Sequence, residues 1–240
     1  MRINKFLALA GLGSRRKVED FVKNGEIIVN NKVVTNLATS IDPDKDIVMY
    51  SGSRVQLSTN FEYYMLHKPK GYITSTHDQY DRKTVMDLLP KIKTRIFPVG
   101  RLDYDTEGLL LLTNDGEMAE RLTRPEFNVP KVYNCTIEGG IKESELAVLR
   151  AGIVKDGIKY AKSKITIIKQ EKERTKLQVT IQEGKNREVR NMFEYIGKNI
   201  ILLKRVAIGD LKLGGLSRGE YRPLKEDEIM YFMDLCDLDN

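Results

Sequence analysis

Residues 107–113 read EGLLLLT, and the four consecutive leucines Leu109–Leu112 constrain the fold more than any other stretch. A short apolar run without alternation fits a fully buried strand. Just before it stands GRLDYD, residues 100–105, which sets Arg101, Asp103 and Asp105 at the mouth of the buried segment. An Asp-rich turn ahead of a core strand, with Asp105 capping through Thr106, is one reading. The other is chemical: a carboxylate beside an apolar wall is partly desolvated, which makes it reactive, and a neighbouring arginine favours its charged form.

With 41% apolar residues among 240, the chain can form one medium domain and one small one. The net charge of +6 is a modest excess, so clustering of charge matters more than the total. Only Cys135 and Cys236 occur, without a CxxC spacing, which argues against a disulfide framework or a zinc ribbon. The amino-terminal apolar stretch is broken by SRRK, and nothing is long and apolar enough to span a bilayer. A cytoplasmic protein with no membrane association is the expectation, with a polyanion as a candidate partner. His67 and His77 have no partner set for a metal or a serine triad. KPKG at 68–71 lacks the phosphate-loop frame, and GLGSRR is no dinucleotide fingerprint. No metal and no cofactor are therefore expected.

Along the chain, Asn4 is a candidate cap for a first helix stopped by Gly11. Ser14 caps a second, with Val18, Phe21 and Val22 on one face and Gly25 at its end. EIIVNNKVV predicts a hairpin turning at Asn30-Asn31, and DIVMY a further strand. The polar residues 51–60 read as a linker. Beyond it, strands are expected at YYML, IFPVG, GLLLLTN, KVYNCTIEG, KITIIKQ, KLQVTIQEG and residues 199–213. Helices are expected at TVMDLLP, DGEMAERLTRP, ESELAVLRAGI, NREVRNMFEYIG and the acidic final segment. The pattern is α+β, without regular βαβ alternation.

Three basic groups stand out. Arg15, Arg16 and Lys17 crowd the start of the second helix, where backbone donors add to their charge for phosphate. Lys185, Arg187 and Arg190 lie within six positions, and the last two share helical i, i+3 spacing. Lys131 and Tyr133 alternate on one strand face, which suits either a ring stacked on a base or ordinary core packing. A solvated charged surface is the plain alternative for the first two.

The strings RINKFLALAGLGSRRKVEDFVKNGEIIVNNKVV, LHKPKGYITS, PVGRLDYDTEGLLLLTNDG, PKVY and EGKNREVRNMFEYIG occur in this order. Together they resemble the bacterial ribosomal RNA pseudouridine synthases that carry an S4 RNA-binding domain. The resemblance implies an S4-like domain over 1–57 and a catalytic domain over 58–240 with a mixed, mostly antiparallel sheet. It implies Asp103 as catalytic carboxylate, Tyr133 as the ring packed on the target base, and Arg190 as the cation paired with Asp103. It implies RNA contacts for Arg101, Lys131, Lys185, Arg187, Arg15, Arg16 and Lys17. Glu188 stands where relatives carry glutamine. The implied partner is ribosomal RNA or a partly assembled subunit, bound by a monomer, with 23S favoured over 16S rRNA. A tRNA target and a non-catalytic ribosome-assembly protein are the other readings.

Overall fold

The computed structural model describes residues 1–57 and 60–238. Two compact units emerge: Met1–Glu62 with Asn114–Gly116, and Tyr63–Thr113 with Glu117 onward. The expected change of domain at 57–58 and the last residues of the acidic tail, 239–240, touch positions outside the described residues. Part of the expected linker is a strand, Ser53–Arg54.

The first unit holds helices α1 (Ile3–Leu9) and α2 (Arg15–Lys23) and strands β1 (Ile27–Val29), β2 (Lys32–Val34), β3 (Val48–Tyr50) and β4 (Ser53–Arg54). The strands form one sheet in the order β2-β1-β3-β4. Asn30 and Asn31 both take positive φ, 48° and 63°, as a tight hairpin turn requires. Ser14 caps α2 by accepting from the Lys17 N–H at 3.1 Å, and Val18 and Val22 are buried. Asn4 is not the cap of α1. Arg2 takes that position because Ile3 is already in the core, and the Asn4 side chain donates to Glu19 at 2.9 Å.

The second unit is built on nine strands: β5 (Tyr63–Lys68), β6 (Phe97–Val99), β7 (Glu107–Thr113), β8 (Lys131–Glu138), β11 (Lys164–Gln170), β12 (Arg174–Ile181), β13 (Ile200–Ile208), β14 (Leu211–Lys212) and β15 (Tyr221–Pro223). Its main path runs β11-β12-β8-β13-β7-β5-β15. Every pairing is antiparallel except β13 with β7. A separate hairpin of β9 (Ile153–Lys155) and β10 (Ile158–Tyr160), turning at Asp156-Gly157, was not anticipated, nor was β15. The helices are α3 (Gly116–Thr123), α4 (Glu143–Ala151), α5 (Glu188–Tyr195) and α6 (Glu226–Leu235), and a short 3₁₀ turn covers Val85–Leu88.

The leucine run shows why alternation is missing. Side chains alternate across a strand, and here each face has its own core. Leu110 and Leu112 join a cluster with Leu66, Tyr133 and Phe193. Leu109 and Leu111 join another with Met65, Val99, Leu122 and Phe232. All seven residues of β7 are buried.

The parallel seam depends on Gly108, whose φ is +120°. A Cβ there would lie 2.1 Å from the Arg205 carbonyl oxygen on β13. Gly108→Ala is expected to destabilise the second unit by about 2–6 kcal/mol, combining backbone strain with overpacking. Chemical denaturation of the two proteins measures the difference.

Candidate active site

The turn between β6 and β7 is fastened through its backbone. Five consecutive carbonyls, from Leu102 to Thr106, each have a partner. Leu102 O accepts from Thr74 Oγ1 at 2.7 Å, and Thr74 Oγ1 accepts in turn from the Leu102 N–H at 3.2 Å. Asp103 O accepts from Lys68 Nζ at 2.9 Å and from the Thr106 N–H at 3.1 Å. Tyr104 O accepts from the Gly71 N–H at 2.9 Å, and Asp105 O from Arg190 Nη2 at 3.1 Å. Thr106 O accepts from Lys68 Nζ at 2.9 Å. Lys68 also donates to Pro69 O at 3.2 Å and is fully buried. The turn thus holds Asp103 in a fixed place without using its carboxylate.

Asp103 lines a cavity of about 130 Å³ together with Arg101, Lys131, Tyr133, Lys185, Arg187 and Glu188. Lys131 and Tyr133 do share one face of β8, as their alternation implied, and both are buried. Lys131 Nζ donates to Gln182 O at 3.4 Å. Arg205 on β13 is opposite Tyr133 in register. Its Nε donates to Leu109 O at 2.7 Å, and its buried Nη2 has no partner. A buried donor left without an acceptor costs free energy.

The arginines divide differently from the expectation. Arg190 pairs with Asp105, Nη2 to Oδ2 at 3.1 Å, and donates to the Asp105 carbonyl; it is not on Asp103. The cation beside Asp103 is Arg187, at 3.8 Å from Oδ2, which also reaches Asp105 at 3.4 Å. The reason lies in the backbone. Arg187 is not in α5 but precedes it with φ +49°, so the expected i, i+3 helical relation to Arg190 does not hold. Arg187 is half exposed, so its ion pairs add little stability and leave it available for a ligand. Lys185 is held by Glu183, with Nζ 2.9 Å from each carboxylate oxygen. Glu188 is buried and accepts from the Lys185 N–H at 2.9 Å, and its burial pushes its carboxyl upward from the usual range. Arg15, Arg16 and Lys17 lie exposed on the first turn of α2 in the other unit.

Lys68, Thr74 and Arg205 were missed in the sequence. KPKG failed as a phosphate loop and counted within LHKPKGYITS, with no role given to Lys68. A lysine ending an apolar strand and an arginine within residues 200–208 were the available signals of buried, partnered charge.

Burial pushes both Lys68 and Lys131 down to about 8. Asp103 and Asp105 oppose the shift at Lys68; Arg205 reinforces it at Lys131. The folded values lie below the free lysine value of about 10.5, so the charged forms cost stability below pH 8. That cost is relieved as pH rises toward 10.5. Turnover moves the other way, because a neutral amine has too few protons for the three carbonyls on Lys68. Activity is expected to fall as pH rises through about 8, read from the pH profile of kcat. Lys68→Met strands the Pro69 and Thr106 carbonyls and is expected to cost about 2–6 kcal/mol in denaturation.

The profile of the RNA pseudouridylate synthase family matches residues 62–195, and that of the S4 domain matches residues 1–47. An uncharacterised RNA pseudouridine synthase of Aquifex aeolicus is 42% identical over 95% of this chain and 92% of its own. The ribosomal large subunit pseudouridine synthase B of Bacillus subtilis is 41% identical over 98% of this chain and 97% of its own. A crystal structure of a pseudouridylate synthase superposes with a TM-score of 0.71 at 28% identity, covering 97% of this chain and 99% of that one. The buried Tyr133, the fixed Asp103 and the cations lining the cavity therefore belong to an enzyme: this chain is a member of the RNA pseudouridine synthase family, an isomerase with an S4 domain at its amino-terminal end.

Proposed function

We propose that the chain converts a specific uridine of 23S ribosomal RNA to pseudouridine, with Asp103 as the acting carboxylate. The observation that carries the assignment is the placement of Asp103 in one cavity with Tyr133, on a turn whose carbonyls are all engaged. The choice of RNA rests on the likeness to the Bacillus subtilis large-subunit enzyme along nearly the whole chain.

The reaction detaches uracil from ribose at N1 and reattaches it at C5, with every atom retained. The target nucleotide must leave its stack to reach the cavity. Asp103 acts at the ribose, either by attack on C1′ or by removing the 2′ proton to form a glycal. Arg187 stands beside it as the counter-ion. Tyr133 forms the wall on which freed uracil rests while it turns, which keeps the reacting atoms close. Arg101 is exposed at the cavity edge and suits a backbone phosphate. Arg190 acts through the Asp105 backbone and carboxylate. Over residues 1–57, three exposed cations on the first turn of α2 oppose the helix dipole, an arrangement that an RNA phosphate relieves.

Site-resolved pseudouridine mapping of ribosomal RNA from cells with and without the gene tests the reading. One 23S position is expected to lose its modification and to regain it with the unmutated gene but not with Asp103→Asn. Restoration by Asp103→Asn would remove Asp103 from its role, and loss of a 16S position would reassign the substrate. Replacing Arg15, Arg16 and Lys17 together by alanine is expected to weaken RNA binding and to lower the log–log salt slope by roughly 2–3. Titrations at several salt concentrations measure it.

A further inference from the structure

Tyr104 sits between Asp103 and Asp105 and is 57% exposed, although its carbonyl is fixed by Gly71. Nothing in packing calls for an aromatic ring there. A second exposed tyrosine, Tyr80, is 69% accessible and lies on the loop from Ile73 to Thr84. That loop is closed at its base: the Ile73 N–H donates to Lys83 O at 2.9 Å and the Val85 N–H to Ile73 O at 3.0 Å. Its root is joined to the catalytic turn by the reciprocal Thr74–Leu102 hydrogen bonds. Closed loops of this kind with organised interiors are often functional.

The interior is organised by Asp78. Its Oδ2 accepts from the Tyr80 and Arg82 N–H groups at 3.0 Å each, and its carboxylate pairs with the Arg82 guanidinium at 2.8 Å. Arg82 in turn lies over the Tyr80 ring, 5.2 Å from its centroid. Hydrogen bonding to Asp78 holds Arg82 above its ordinary value, which keeps the guanidinium charged and fixed over the Tyr80 ring. Lys83 stands 6.0 Å from the ring of Tyr72. Exposed rings interleaved with cations beside a catalytic cavity have the composition of a stacking surface for unpaired bases.

We propose that Tyr104 and the Tyr80–Arg82 segment form a platform for the unstacked RNA bases that flank the target uridine. The inference rests on the reading of Asp103 as the acting residue. A flipped nucleotide leaves its neighbours unstacked, and Tyr104 is the residue next to Asp103 in the chain. A neighbour stacked on Tyr104 fixes the distance from the backbone to the cavity. The platform recognises π-faces and so tolerates many sequences.

The test uses the full chain and a single-stranded RNA of ten nucleotides, with a central uridine and 2-aminopurine on one side or the other. Fluorescence quenching reports stacking, and anisotropy reports affinity. Tyr104→Ala is expected to lose the quench at one flanking position and to weaken binding roughly 5- to 150-fold, the range for one base–aromatic stack. Tyr104→Phe keeps both, and Tyr80→Ala loses a smaller part of each. Unchanged quench and affinity in Tyr104→Ala overturn the platform, and so does an equal loss in Tyr104→Phe. Asp103→Asn separates the two readings. If it abolishes modification while Tyr104→Ala leaves the quench intact, the catalytic reading stands and the platform falls. If it still modifies RNA while Tyr104→Ala loses the quench, the platform stands and the catalytic reading falls.

Discussion

A single buried ammonium organises the turn that carries Asp103. Lys68 is out of solvent, and its three protons are directed at the carbonyls of Pro69, Asp103 and Thr106. Burying a charge is costly unless it is paired or well hydrogen-bonded. Here the partners are backbone oxygens that a turn of this shape would otherwise leave bare. The carbonyls offset part of the cost of burying the charge, and the rest shows in the lowered Lys68 value. The Asp103 carboxylate takes no part in this arrangement and is left to the cavity.

The cavity joins two halves of one sheet. Lys68 and the Asp103 turn come from the β5–β7 side, and Lys131 and Tyr133 from β8. β13 lies between them, pairing with β8 on one edge and β7 on the other. Its arginine, Arg205, crosses that junction by donating to Leu109 O. Electrostatic organisation follows the same division. Arg190 secures the turn through Asp105, and the more exposed Arg187 faces Asp103.

Much of this was legible locally. The Ser14 cap, the Asn30-Asn31 turn and the leucine strand each depend on neighbours in sequence, and each folds as its residues imply. The shared face of Lys131 and Tyr133 follows from the two-residue period of a strand. Long-range partnerships were not legible. Which arginine meets which aspartate turned on one positive φ at Arg187, which spacing could not reveal. The role of Lys68 was not legible because two of its partners lie 35 and 38 positions away. The parallel seam was likewise hidden, since nothing near Gly108 in the sequence shows that Arg205 lies against it.

That seam has a kinetic side. The Arg205–Leu109 hydrogen bond spans 96 positions, and β13 is the strand through which the two halves of the sheet meet. Closing so long a loop costs entropy before any contact repays it. On a growing chain, β5, β6 and β7 can pair as soon as they emerge, but the Glu107–Gly108 end of β7 stays open on one edge until residue 205 has been made. The bonds from Lys68, Gly71 and Thr74 to the Asp103 turn can therefore form early, whereas the Arg190 bond and the cavity are completed only at the end of folding.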